Sequence, residues 1–378
     1  MAGVRPMLFK KFFLGCLLIP ICLCTGCWDV DEINHRAASN VLYFDRGREE
    51  KIQMGIDLHI DGTLQPPIND MEQQFVKNHG VILAEGKSSV EAWSKLQAMT
   101  SRNIYLGQLR AIVLSDEYAK QDITDSLDFI GRLPSIPGNI DLLITKENPK
   151  ELLDLKNRSN YIPGNYIDQH FESTFTKTLT KPVRLFEVFS RTDNKTADPY
   201  FPLISTSQEN YFISGTAVFS GKRMVGELDQ QETYAFTLLG GGTTGLLTVP
   251  AGENETVSYL QLNSRSKIHP KINPDGSIAF DVNVKAQSMT VETNPSRGEI
   301  GLEDKKRLDL MAGNYLRGEI EKLLAKLQQL NSDPVGFGEK FRSKYPDRWE
   351  QIDWRQAFPQ AQFNVDVEFN TQNTGVFR

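Results

Sequence analysis

The chain of 378 residues carries 48 acidic against 42 basic side chains, a formal net charge of −6, and is 39% hydrophobic. That balance argues against a nucleic-acid binder held by phosphate contacts and against a body docked electrostatically on anionic lipid. The length suits two or three domains rather than one.

At the N-terminus Lys10 and Lys11 precede an uncharged apolar run from Phe12 to Leu23, followed by Cys24-Thr25-Gly26-Cys27. A basic start, a short apolar middle and small residues before a cysteine form the layout of a lipoprotein signal peptide, although Cys24 stands where the pattern usually has Leu. A membrane-spanning helix needs about 20 apolar residues, and here Pro20 interrupts a shorter run. All four cysteines, Cys16, Cys22, Cys24 and Cys27, lie within or at the edge of this segment. Cleavage before Cys27 therefore leaves one cysteine, which allows no disulfide framework and no thiolate metal site. Cys27 is the expected attachment point for lipid, because two acyl chains on its sulfur suffice for stable anchoring.

Beyond the signal, Ile52, Met54, Ile56, Leu58 and Ile60 alternate with Gln53, Gly55, Asp57 and His59, which predicts a half-buried strand. With the turn Asp45-Arg46-Gly47-Arg48 it predicts a hairpin over residues 40–60. A polar loop with Pro66-Pro67 follows, then a strand at Gly80 to Ala84. Ser88 and Glu91 are spaced as a capping box for a helix that buries Val90, Trp93, Leu96 and Met99. Strands at Leu109 to Leu114 and Ile140 to Ile144 alternate with helices begun at Asp122 and at Asn148-Pro149, an α/β grammar with parallel pairing. Residues 158–202 are polar and mixed, with one amphipathic piece from Val183 to Phe189.

The second half reads differently. Tyr211 to Phe219 and Arg223 to Leu228 flank Ser220-Gly221-Lys222 as a hairpin. Asp229 and Glu232 make a second capping box, for a helix ending at Gly240. Two long strands flank the turn Asn273-Pro274-Asp275-Gly276, the second with Ile278, Phe280, Val282, Val284 and Ala286 on one face. A long helix from Glu303 to Asn331 carries a stripe of Leu308, Ala312, Tyr315, Leu316, Ile320, Leu323, Leu327 and Leu330. Phe363, Val365, Val367 and Phe369 alternate in a last strand. The expected division is a signal peptide (1–26), an N-terminal α/β domain (27–157), a small connecting module (158–204) and a C-terminal α+β domain (205–378). The fold class is α/β plus α+β, a multi-domain mixed-sheet protein with a C-terminal sheet packed by a long helix.

Catalytic patterns fail on context. Gly240-Gly241-Gly242-Thr243-Thr244-Gly245 satisfies G-x-G-x-x-G, but it follows a helix and precedes a strand, the reverse of a dinucleotide site. Gly80 and Gly86-Lys87-Ser88 are a residue too far apart for a P-loop. The uncharged segment Thr233 to Gly252 has the length of a membrane span, but its five glycines and Pro250 argue for a folded segment. His35, His59, His79, His170 and His269 show no ligand spacing. Trp349, Trp354 and Phe358 either mark a partner surface or seat the last helix on the sheet. The residues call for no cofactor, no metal and no catalytic activity.

Cys27-Trp28-Asp29 followed by Glu32-Ile33-Asn34 resembles the mature N-terminus of the Ger(x)C lipoproteins. Further resemblances follow in order: Gly86-Lys87-Ser88 with Glu91-Ala92; Tyr105-Leu106-Gly107 before Ile112-Val113-Leu114-Ser115; Gly215-Thr216-Ala217-Val218-Phe219 before Gly226-Glu227-Leu228; and Asp333-Pro334-Val335-Gly336-Phe337-Gly338 before Trp349. Gln108 stands where the family has His. The resemblance implies a non-enzymatic, lipid-anchored subunit on the outer face of the spore's inner membrane. It also implies assembly with an integral A subunit and a transporter-like B subunit in a nutrient germinant receptor, with Cys27 the one residue carried over. The alternative is a solute-binding lipoprotein of an importer, a class built from two similar α/β lobes.

Overall fold

The computed structural model describes residues 36–59, 79–153, 163–172, 180–207, 210–252, 255–294 and 301–373; Cys27 and the signal segment lie outside them, as does the Pro66-Pro67 loop. The first part of the chain runs β1 (Arg36–Ala38), β2 (Val41–Arg46), β3 (Ile52–His59), β4 (His79–Gly86), α1 (Ser89–Ala98), β5 (Asn103–Tyr105), β6 (Ala111–Ser115), α2 (Asp116–Ala119), α3 (Thr124–Gly131), β7 (Asp141–Thr145) and α4 (Pro149–Leu153). It continues through α5 (Pro163–Glu172), α6 (Leu185–Asn194), β8 (Tyr200–Ser207), β9 (Asn210–Ser220) and β10 (Arg223–Leu228).

These strands form one mixed sheet in the order β10-β9-β8-β7-β6-β2-β3-β1-β5, with β4 paired to β3. The centre is parallel, β2 with β6, β6 with β7 and β7 with β8, as the alternation of strands and helices predicts. Both faces are covered, so β2 and β6 are buried at successive positions rather than alternately. Leu42, Phe44, Ile112, Leu114, Leu142 and Ile144 pack on one face with α1, α3 and α6. Val41, Tyr43, Val113 and Leu143 pack on the other with Leu152, Leu153, Ile167 and Phe171 of α4 and α5. The stretch expected as a small connecting module supplies α5, α6 and β8 to this same layer, and the boundary expected after residue 204 falls within β8. The β9–β10 hairpin, read with the second half, closes the first sheet.

Three local expectations change. The face of α1 that turns inward carries Ser89, Ala92 and Leu96, while Val90 is 66% and Met99 58% exposed. The reason is the close approach of the first turn to Gly86, where a Cβ would lie 2.5 Å from the Ala92 nitrogen. Ser88 Oγ accepts the Glu91 N–H at 3.3 Å, but the Glu91 carboxylate accepts from Lys87 N rather than from the cap residue. Asp57, expected on the polar face of β3, is fully buried. Its Oδ1 accepts the Ser39 hydroxyl at 2.8 Å and the N–H groups of Asn40 and Val41 at 2.9 and 2.7 Å. Burial pushes its pKa up to about 7 against the pull of these donors.

The second part contains α7 (Gln230–Leu239), β11 (Thr243–Gly252), β12 (Glu255–Ile272), β13 (Ile278–Asn294), α8 (Leu302–Gln329), α9 (Phe337–Lys344), α10 (Pro346–Trp349), α11 (Trp354–Ala357) and β14 (Gln362–Asn373). Asp229 and Glu232 close the capping box of α7 reciprocally. The sheet order is β11-β12-β13-β14, antiparallel except for the parallel pair β13 and β14. Leu308, Ala312 and Leu316 of α8 pack with Val249, Val257, Tyr259 and Phe369 of the sheet, while Ile320, Leu323 and Leu327 join the core of the first sheet. One helix thus serves both sheets.

Candidate functional site

The two parts meet in the loop after α8, at Asp333-Pro334-Val335-Gly336-Phe337-Gly338. The Asp333 carboxylate accepts the N–H groups of Gly336, Phe337 and Gly338 at 2.8, 2.9 and 2.8 Å, capping α9, and the Trp354 indole N–H at 3.2 Å. Gly336 sits at φ +86°, where only glycine is unstrained. Gly338 leaves no room for a side chain: a Cβ there would stand 2.7 Å from the Thr196 carbonyl oxygen and from the Trp354 indole nitrogen. Burial raises the Asp333 pKa to about 6; the backbone donors pull it down and the neighbouring Asp198 carboxylate pushes it further up.

Asp198, in the loop between α6 and β8, is the second carboxylate. It accepts the Asp333 N–H at 2.8 Å and the Gly221 N–H at 2.7 Å, and both terminal nitrogens of Arg355 bond to it. Arg355 Nη1 also reaches Ser220 Oγ at 2.9 Å and the Asn331 carbonyl at 3.0 Å. Arg191 of α6 donates to the carbonyls of Asp198 and Pro334 at 3.1 and 2.9 Å, and the Ser332 hydroxyl donates to the Phe219 carbonyl at 2.6 Å. The joint therefore ties α6 and the β9–β10 turn of the first part to the α8–α9 loop and α11 of the second. Its carboxylates accept structural donors, an arrangement that positions elements and does not activate a nucleophile.

Trp354 and Phe358 are buried beside the joint, among the rings of Phe280, Phe337, Phe341 and Phe363. They seat the closing helices on the sheet, which is the second of the two sequence readings. Trp349 is partly buried and borders a groove of about 610 Å³ shared with Ile352, Lys195 and Lys222.

The other sequence candidates scatter. His170 is buried beside Tyr166 and Phe171, and burial lowers its pKa to about 4, so it is neutral near pH 7. His269 lies exposed on β12, and His59 and His79 are register partners of β3 and β4. The glycine loop at Gly240 has its N–H groups engaged: those of Gly240, Gly241 and Gly242 donate to Phe236 O, Leu238 O and Ser264 Oγ. Gly80 to Gly86 is strand β4. Gln108 is exposed, beside a Gly107 whose missing Cβ makes room for the Tyr105 hydroxyl. Among the described residues no group of three His, Cys, Asp or Glu side chains can hold a metal, and no helix is long and apolar enough to cross a membrane. The sequence reading quoted Asp333 only as part of a motif and missed Asp198 and Arg355. Asp198 is followed by Pro199 in a short polar loop, and nothing local marks its partner 157 residues away.

Two family models match consecutive parts of the chain, "Spore germination protein N-terminal domain" over residues 29–206 and "Spore germination B3/ GerAC like, C-terminal" over residues 214–375. Among curated relatives, the spore germination protein GerQC of Bacillus cereus is 22% identical, covering 78% of this chain and 82% of its own length. The spore germination proteins YndF and KC of Bacillus subtilis (strain 168) are 22% and 20% identical; the alignments cover 96% and 98% of this chain and 96% and 97% of theirs. The crystal structure of the GerBC protein shares the fold, with a TM-score of 0.58 at 17% identity over 91% of this chain and all of that one. With its two halves matched in order and its mixed-sheet architecture shared, the chain belongs to the Ger(x)C family of spore germination proteins.

Proposed function

We propose that the chain is the lipid-anchored, non-catalytic C subunit of a nutrient germinant receptor. Cys27 holds it on the outer face of the spore's inner membrane, where it assembles with integral A and B subunits. The observation that carries this reading is the consecutive match of both family models, the first beginning at Asp29, two residues after the expected lipidation site. The joint supports it in kind: conserving geometry between two sheets is what a scaffold needs, and its carboxylates serve as caps and tethers. The two parts differ in topology, one largely parallel at its centre and one mostly antiparallel, unlike the matched lobes of a solute-binding lipoprotein.

Spores of a disruption strain lacking redundant receptors are expected to lose the response to the cognate nutrient, and a normal response to every nutrient would count against the proposal. Cys27→Ala is expected to block both lipid attachment and signal cleavage, read by metabolic labelling with a fatty acid and by the larger mass of the uncleaved chain. Unchanged labelling and unchanged processing would overturn the anchor.

A further inference from the structure

The length of chain between Cys27 and the fold limits how the molecule can stand on a membrane. Arg36, the first residue of β1, follows Cys27 by nine residues. Whatever its conformation, a stretch of that length reaches at most about 30 Å. β1 and β2 both run antiparallel to β3, with Ala38 opposite His59 and Arg46 opposite Ile52. Arg36 therefore stands nine residues along the sheet from the end of β2, again about 30 Å. With the β2–β3 turn against the bilayer, the tether would have to be fully straight and would leave no space for the turn itself. Its reach suits the end of the sheet at which β1 starts.

Other elements start or stop at this end. β5 begins at Asn103 beside Arg36, and β2, β6 and β7 begin together at Val41, Ala111 and Asp141. Helix α1 finishes here, with Met99 as its C-cap and 58% exposed. The loop into β7 passes Gly138, whose carbonyl accepts the Phe186 N–H at 3.1 Å. That bond places the first turn of α6 at the same end, and Phe186 is also 58% exposed. The Arg36 guanidinium lies 4.6 Å from the centre of the Tyr105 ring, and Arg102 leads into β5. Arg184 answers Asp141 at 3.0 Å and Arg110 answers Asp168 at 3.5 Å, while Glu187 of α6 adds a third carboxyl group. In a chain of net charge −6, this end is not acidic.

We infer that this end of the first sheet rests on the surface of the bilayer that holds the Cys27 lipid, with Met99 and Phe186 entering the headgroup region and Arg36 and Arg102 at the depth of the phosphates. Two apolar side chains are too few to hold a protein on a membrane by themselves. The lipid supplies the affinity, and the side chains fix the orientation. Arginine suits that depth because its guanidinium donates in pairs to phosphate oxygens while its stem lies along apolar surface. The acidic remainder of the body is repelled by an anionic leaflet, which favours the same orientation. An integral subunit is a weaker occupant of this end, since the nine-residue tether brings it to lipid without any partner.

The inference rests on the Cys27 anchor proposed above, and the experiment separates the two. The processed, lipidated chain is purified in detergent and reconstituted into vesicles of phosphatidylethanolamine and phosphatidylglycerol without integral subunits. Lipid caps the Cys27 sulfur and no cysteine follows it in the sequence, so a single introduced cysteine carries a fluorophore at a chosen site. Ser101→Cys and Asn139→Cys place it at this end and Glu49→Cys places it in the β2–β3 turn, all at exposed positions. Quenching by a lipid with a nitroxide on its headgroup is expected to be about threefold stronger at positions 101 and 139 than at 49. Met99→Ser with Phe186→Ser is expected to lower that contrast about twofold at an unchanged melting temperature. Equal quenching at the three sites, or the strongest at 49, would overturn the orientation while leaving the anchor intact. An unchanged contrast in the double variant would overturn the part assigned to Met99 and Phe186. A contrast that appears only once integral subunits are added would overturn the lipid surface in favour of a protein one. A chain that does not float with the vesicles would overturn the anchor itself.

Discussion

Asp57 collects three donors on one oxygen inside a sheet covered on both faces, and the cost of that burial appears in its proton affinity. Its folded pKa of about 7 stands above the usual 3.8, so the folded chain keeps a proton that the unfolded chain has released. The stability this contributes is fully present below about pH 4 and is lost as pH rises through about 7. Asp57→Asn keeps an acceptor at the same position and removes the ionisation. Its denaturant midpoint is expected to depend less on pH than that of the wild type between pH 5 and 7.5, and identical slopes would show that the carboxyl does not titrate there. Period-2 alternation placed Asp57 on a polar face because it sees one strand at a time; the helices that cover the second face come from sequence more than ninety residues away.

At the scale of elements, what the sequence disclosed depended on whether the signal was local. The capping box at Asp229 and Glu232 and the turn at Asn273 to Gly276 stand as read, because the groups that define them lie within a few residues of each other. Helix α5 went unread: Pro163-Gly164-Asn165 begins it, and its buried residues Ile167, His170 and Phe171 make a sparse stripe. The stripe of α8 was plain, but its closest contact was not. A Cβ at Gly313 would lie 3.0 Å from the Val367 carbonyl oxygen, whereas at Gly318 on the same helix it would meet open space. The strand has little freedom to retreat, being pinned by Asp309 to Thr371 and by Lys305 to Asn370. Gly313→Ala is therefore expected to destabilise the chain by about 1–3 kcal/mol through overpacking, and Gly318→Ala to stabilise it by about 0.5–1 kcal/mol through helix propensity and a less flexible unfolded chain. Chemical denaturation of both variants reads the two signs, and the same sign for both would refute the close contact.

Across the whole molecule, the strand order was the least legible feature, since the pairing of β8 with β7 on one side and β9 on the other joins segments that no local pattern relates. The consequence is a continuous core: the cluster that holds Phe44 and Leu142 of the first sheet also holds Phe280, Phe337 and Phe358 of the second part. Asp198 is the polar counterpart of that continuity, bonded from β9–β10, the α8–α9 loop and α11 together. If the two parts are one cooperative unit, cutting this tether lowers the stability of both equally. Asp198→Ala leaves Arg355 without its carboxylate and two N–H groups without an acceptor, and removing one partner of a buried pair typically costs about 3–5 kcal/mol. Part of the guanidinium stays in contact with water, being 40% exposed, so the lower end of that range is expected here. Hydrogen exchange should then accelerate by the same factor in the slowest amides of β6 and of β13, with thermal unfolding still a single transition. Acceleration confined to β13 and α9, or a second transition, would mean that the parts fold separately and that the joint only orients them.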